Sequence, residues 1–206
     1  ELDDLGITQT AETYILSDSV FAGVSQTKTP QGCMAVVECM HYELASIAGK
    51  TDQETYLVLD TLQDPGNMGT IFRSAEAAGV TAVIIGGGSC DPYNPKVVRS
   101  TMGAIFRVPF IICDDLVDMV GELKKRGVIA YGAHLAGEDL YDIDFPDKTA
   151  FLIGNEGNGL SREVADTADR LLRIPMEGKV ESLNAAISAT LLSYEAMRQR
   201  RSARQN

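Results

Sequence analysis

The chain has 206 residues, 45% of them hydrophobic, and a formal net charge of −11, enough apolar content for one domain of ordinary size plus a smaller piece. No run of about twenty apolar residues marks a membrane span, and the acidic opening lacks the basic n-region of a secretory signal. The acidity also excludes a nonspecific nucleic-acid binder, because phosphate neutralisation by Lys and Arg supplies most of that affinity.

The charge is uneven: residues 1–60 hold ten acids and two bases, whereas 61–206 hold nineteen and sixteen. Cys33, Cys39, Cys90 and Cys113 form no CxxC pair, and His41 and His134 stand without an HExxH. Reduced thiols, a cytoplasmic setting and no metal site are therefore expected. The chain opens on Glu1 instead of Met, so a preceding segment is expected as well.

Residues 1–48 contain short apolar runs such as Ala35-Val36-Val37 behind a turn-rich stretch from Ser25 to Gly32, too little to close a core. The polar stretch 49–54 reads as a linker, and 55–206 as the main domain. There, strands are predicted at Tyr56–Leu59, Ala82–Ile85, Val128–Tyr131, Ala150–Ile153 and Leu171–Ile174, and helices at Met68–Ala78, Leu116–Arg126 and Arg162–Ala168. A last helix opens at Ser182 as N-cap, with Leu183, Ile187, Leu191, Tyr194 and Met197 on one stripe and Ala185, Ala186, Ser188 and Ala189 forming a small-residue face. The alternation predicts an α/β fold, a mostly parallel sheet with helices on both faces. Between Pro92 and Phe110, Lys96, Arg99 and Arg107 occur with no acid, interleaved with Tyr93 and Phe106. That stretch reads either as a basic, aromatic surface or as an ordinary solvated face.

In such a sheet ligands bind beyond the carboxyl ends of strands, and three loops there are unusual. The first, Asp60 to Arg73, runs from a strand into a helix, with Asn67 placed as N-cap and Arg73 about two turns along. The second, Ile153 to Ser161, has Gly154, Gly157 and Gly159 around Asn155 and Glu156, permitting close approach of backbone to a ligand. Its order G-x-x-G-x-G is neither the dinucleotide fingerprint nor a P-loop. The third, Ile174 to Ala186, crowds Ser182 and Asn184 at a helix N-terminus, whose free N–H groups suit a polar ligand.

Together these segments resemble the SpoU/TrmH branch of the SPOUT methyltransferases. N-x-G-x-x-x-R is met by Asn67, Gly69 and Arg73; G-N-E-G-x-G-[LI]-S by Gly154, Asn155, Glu156, Gly157, Gly159, Leu160 and Ser161. The third motif, I-P-M-x-G-x-x-x-S-L-N-[AV], is met by Ile174, Pro175, Met176, Gly178, Ser182, Leu183, Asn184 and Ala185. Gln26 to Val37 resembles the end of the small α/β RNA-binding domain that often precedes this catalytic domain, which implies a truncated substrate domain over 1–48. The resemblance implies a C-terminal trefoil knot, a homodimer, S-adenosylmethionine as cofactor, and methylation of a ribose 2′-hydroxyl of rRNA or tRNA. By the same likeness Gly154, Asn155, Gly157, Ile174, Met176, Ser182 and Leu183 hold the cofactor. Asn67, Arg73, Glu156, Ser182 and Asn184 line the reaction centre, and Arg73, Lys96, Arg99 and Arg107 meet RNA. Two alternatives stay open at this point: an RNA-binding module with a degenerate cofactor site, and an RNA base methyltransferase.

Overall fold

The computed structural model describes residues 12–25, 27, 29–180 and 182–204, and the chain forms two units, 1–40 and 41–206. In the first, helix α1 (Asp18–Val24) buries none of its residues, and Ile15, Val36 and Val37 are exposed. Among the described residues of that unit none is buried, so its apolar runs close no core.

The second unit reaches back beyond residue 55. Helix α2 (Leu44–Ile47) buries Leu44 and Ile47 in one cluster with Tyr56, Val58 and Val120, so the segment 41–48 belongs to this unit. Strand β1 (Glu54–Leu59) is buried throughout and takes in Glu54, the end of the expected linker. A buried carboxylate is tolerated only when its oxygens are satisfied. Those of Glu54 accept from the Gly49 N–H at 2.5 Å and the Tyr56 hydroxyl at 3.0 Å. Both partners are near in sequence, but the burial that makes them necessary comes from the pairing of β1 with the distant strand that begins at Lys148.

The remaining strands are β2 (Ala82–Gly86), β3 (Phe110–Cys113), β4 (Ile129–Asp139), β5 (Lys148–Ile153) and β6 (Arg170–Arg173). They form one six-stranded parallel sheet in the order β3-β2-β1-β5-β4-β6. β1 and β5 lie side by side and end level, Leu59 opposite Ile153. The strand order reverses there, so the loops leaving β1 and β5 flank the crevice where open α/β sheets bind ligands.

Helices cover both faces: α3 (Pro65–Ala78) packs on α7 (Ala185–Ala203), while α5 (Leu116–Lys125) sends Leu116, Val120 and Leu123 into the cluster around Tyr56. The short helices α4 (Pro95–Ser100) and α6 (Arg162–Ala165) complete the set. β3 and α4 have no strong periodicity and are absent from the sequence reading. β4 is far longer than expected, because its pairing with β6 is interrupted by a bulge between Ala133 and Glu138. Bulges of this kind re-aim side chains beside functional sites.

Two expectations for the last helix are corrected. Its cap is Asn184, whose Oδ1 accepts from the Ala186 N–H at 2.9 Å and the Ile187 N–H at 3.3 Å. Its buried face is Ala185, Ala186, Ala189, Leu192, Ser193 and Ala196, while Ile187 and Tyr194 of the expected stripe are exposed. A helix this close to α3 and the sheet turns its small side chains inward, so that face is occupied within the chain. At the far end, Arg200 donates to Thr55 Oγ1 at 2.5 Å and to the Glu54 and Asp147 carbonyls at 2.9 and 2.8 Å, tying α7 to the starts of β1 and β5.

The helical glycines Gly69 and Gly121 separate packing from propensity. A Cβ on Gly69 would stand 1.8 Å from Ser100 Oγ and 2.6 Å from Ser100 Cβ, where α3 crosses α4, whereas one on Gly121 meets nothing within 4 Å. Gly69→Ala is expected to destabilise by about 1–3 kcal/mol through overpacking, and Gly121→Ala to stabilise by about 0.5–1 kcal/mol through helix propensity. Urea unfolding of both variants checks this; a Gly69→Ala variant as stable as the unsubstituted chain would mean that the α3–α4 crossing does not require glycine.

Candidate functional site

The β1 exit sets the first loop. Asp60 is buried and accepts from the Ser161 N–H at 2.7 Å, which pins the glycine loop to the end of β1. Thr61 then takes φ +51°, a costly conformation for a β-branched residue. Its carbonyl accepts from Asn155 Nδ2 at 2.9 Å. Asp64, and not Asn67, caps α3: its Oδ1 accepts from the Asn67 N–H at 2.7 Å, and Pro65 occupies the first turn. The Asp-Pro pair is an N-cap signature that the sequence reading passed over.

Relieved of capping, the Asn67 carboxamide joins the three loops. Its Nδ2 donates to Glu156 Oε1 at 2.9 Å, and its Oδ1 accepts from Asn184 Nδ2 at 2.8 Å. Glu156 also accepts from the Gln63 N–H at 3.2 Å and the Asp64 N–H at 3.1 Å. Burial pushes this carboxyl up. The hydrogen bonds from Asn67 and from the backbone N–H groups of Glu156, Asp64 and Gln63 outweigh that and hold it below the usual Glu value. The group is therefore an ionised acceptor at neutral pH and a weak base.

The second loop closes on itself. Asn155 and Gly159 exchange two backbone hydrogen bonds of 2.9 Å, and Asn155 Oδ1 accepts from the Gly157 and Asn158 N–H groups at 2.8 and 3.2 Å. A Cβ on Gly154 would lie 2.0 Å from the Gly159 carbonyl carbon and 2.1 Å from the Leu160 nitrogen. Gly154 is thus required by its own loop, before any ligand is considered.

These loops border a cavity of about 370 Å³ at the bulge of β4 and the carboxyl ends of β5 and β6. Gly154, Asn155, Gly157, Ile174, Met176, Ser182 and Leu183 all line it, together with Glu156. So do Ala133, His134 and Leu135 from the β4 bulge, Arg173 and Ser188, which the sequence reading did not single out. Their signal was the strand predicted to end at Tyr131, since its exit is where a ligand site belongs. Ser182 is exposed at the rim, and Glu181 lies outside the described residues.

Arg73 is exposed on α3 and has no hydrogen bond or ion pair among the described residues. Lys96 and Arg99 are exposed on α4. Arg107, expected to meet RNA with them, is instead paired with Glu76, Nη2 to Oε2 at 2.9 Å. None of the four lines the cavity. Among the described residues no three His, Cys, Asp or Glu side chains are gathered as a metal-ligand set.

The SpoU rRNA Methylase family model matches residues 54–194. The chain is 38% identical over 184 residues to the 23S rRNA (guanosine(2553)-2′-O)-methyltransferase RlmP of Bacillus subtilis, spanning 89% of this chain and 71% of that one. It is 44% identical over 161 residues to the 23S rRNA (guanosine-2′-O-)-methyltransferase RlmB of Xylella fastidiosa, spanning 77% of this chain and 63% of the relative. Among solved structures it is similar to the SpoU methyltransferase AviRb of Streptomyces viridochromogenes in complex with AdoMet, with a TM-score of 0.84 and 32% identity over 95% of this chain and 77% of that one. The AdoMet-bound rRNA methyltransferase of Sinorhizobium meliloti gives 0.82 and 36% identity over 88% and 70%.

The Glu156 network has a pH signature. A carboxylate whose folded-state pKa lies below its unfolded value contributes stability that is present above the unfolded value and lost as pH falls through the folded one. Glu156→Gln is therefore expected to be less stable than the unsubstituted chain at pH 7, with the gap shrinking at pH 3. Urea unfolding at both pH values tests this, and an unchanged gap would show that the charge on Glu156 is not what those hydrogen bonds hold.

Proposed function

This chain belongs to the SpoU rRNA methylase family, and from that premise we infer that it is an S-adenosylmethionine-dependent RNA methyltransferase acting on a ribose 2′-hydroxyl. The observation that carries the reading is the cavity where the second and third loops meet, joined to the α3 N-terminus by Glu156, Asn67 and Asn184. Its volume falls within the range of about 300–1,000 Å³ usual for small-molecule sites. Its lining suits the cofactor: Leu135, Leu160, Ile174, Met176 and Leu183 offer apolar surface, and the glycine loop offers backbone. S-adenosylmethionine, when bound, supplies an electrophilic methyl group on a sulfonium sulfur.

The chain's own residues do the positioning. Gly154, Asn155, Gly157, Ile174, Met176, Ser182 and Leu183 form the cofactor cradle, and holding two reactants in line supplies much of the rate. Glu156 is saturated with donors, so its role is to fix the β1–α3 loop and Asn67 relative to the glycine loop. Arg73 stands free on the same helix, and its planar fork suits the phosphate beside the target ribose. A guanidinium is effectively never deprotonated, so Arg73 serves as donor and not as base. Lys96 and Arg99 extend the cationic surface.

The names of the relatives support rRNA over tRNA as substrate class, and an rRNA target supports a cytoplasmic setting. Family membership supports the knotted passage of the third loop and a homodimer, and the exposed Ile187 and Tyr194 on α7 support the latter. Residues 1–40 are read as part of an RNA-recognition domain.

Arg73 tests the reading. Arg73→Ala is expected to lose at least a hundredfold in single-turnover methyl transfer while cofactor Kd changes less than about tenfold, or 1.4 kcal/mol. Arg73→Lys should restore little, since a point charge cannot form two parallel hydrogen bonds. Near-normal transfer by Arg73→Ala would refute the role.

A further inference from the structure

The sequence between Pro92 and Phe110 has two aromatic residues among its three bases, and the structure treats them differently. Tyr93 packs edge-on against Phe110 with centroids 5.6 Å apart, whereas Phe106 is 57% exposed and Met102 71% exposed. Both sit on a rigid support. Ala104 and Ile105 of the 3₁₀ turn Ala104–Phe106 are buried, so Phe106 alone of that turn faces outward. Backbone bonds from the Phe106 N–H to Gly103 O at 3.1 Å and from the Arg107 N–H to Ala104 O at 2.9 Å hold it. Met102 has φ +52°, a left-handed conformation that is unfavourable for a non-glycine residue. Strain of this kind persists where surrounding structure enforces it and clusters at functional sites.

The patch lies beside the helix that carries Arg73. The turn packs on α3, and Arg107 beside Phe106 reaches Glu76, one helical turn from Arg73. Lys96 and Arg99 are exposed on α4, which crosses α3 at Gly69 and Ser100. Two large apolar side chains on a stiff turn, bordered by cations in a chain of net charge −11, suit a partner that is polyanionic and also has flat apolar faces. A single-stranded nucleic acid has both: phosphates for the bases of α4, and π-faces for an aromatic ring.

We propose that Phe106 and Met102 form a stacking platform for an unpaired base of the RNA substrate, close to the ribose that is methylated; this rests on the RNA-methyltransferase reading above. The platform selects for unpaired structure around the target, because a base inside a duplex cannot present its face.

The test uses the full chain and a single-stranded RNA oligonucleotide carrying 2-aminopurine, compared with the same strand in a duplex, while cofactor affinity and dimer mass are followed in parallel. The unsubstituted chain is expected to quench the fluorophore and prefer the single strand. Phe106→Ala should abolish the quench and weaken single-strand binding by about tenfold, and Phe106→Trp should restore both, with cofactor Kd unchanged throughout. Met102→Gly relieves the left-handed strain, so it should keep or raise stability yet still weaken binding, which separates lost stacking from lost folding. Wild-type RNA affinity in Phe106→Ala would overturn the platform alone. A change of oligomeric state in that variant would overturn it in favour of an interface between two copies. No RNA binding by the unsubstituted chain, with cofactor bound normally, would overturn the platform and the RNA-substrate reading together.

Discussion

Three loops that leave different parts of the sheet meet at the carboxylate of Glu156, and the hydrogen bonds it accepts decide where they stand. It takes two backbone N–H groups at the head of α3 and one from Asn67, which in turn accepts from Asn184 at the head of α7. The three N–H donors that meet the carboxylate make charge-assisted hydrogen bonds at a helix N-terminus. The carboxylate therefore stabilises an arrangement in which two helix starts and the glycine loop are fixed together. Asp60 and Asn155 extend the arrangement to the end of β1.

The sheet makes this meeting possible. Because β1 and β5 are neighbours at the point where strand order reverses, their exits emerge side by side. The bulge in β4 and the exit of β6 then supply the far wall of the cavity. None of the exposed cations Arg73, Lys96 and Arg99 lines that cavity, so the cavity and the cationic side chains are separate features of the structure.

The parts legible in the sequence are the local ones. The buried strands of a parallel sheet read as apolar runs, so Tyr56–Leu59, Ala82–Ile85 and Ala150–Ile153 are recognisable without partners, and the three motifs declare themselves as loops after strands. Pairings across long separations are not legible. Asn67 and Asn184 are 117 residues apart, and nothing near Asn67 shows that its carboxamide joins Glu156 to Asn184. Gly154 reads as room for a ligand, whereas its closest neighbours belong to its own loop. For α7 the small-residue face is legible, but so is a more hydrophobic stripe with Ile187 and Tyr194, and only the proximity of α3 decides that the alanines are the ones buried.

The central claim is that hydrogen bonds among Glu156, Asn67 and Asn184 act as one unit in building the cofactor site. A double-mutant cycle measures it: S-adenosylmethionine affinity by calorimetry for Asn67→Ala, for Asn184→Ser, which keeps a side-chain cap on α7 while removing the donor, and for the pair. Residues in one network couple by about 0.5–3 kcal/mol, so each single change should weaken binding and the second should add little to the first. Fully additive losses, or cofactor affinity indifferent to both substitutions, would contradict the account.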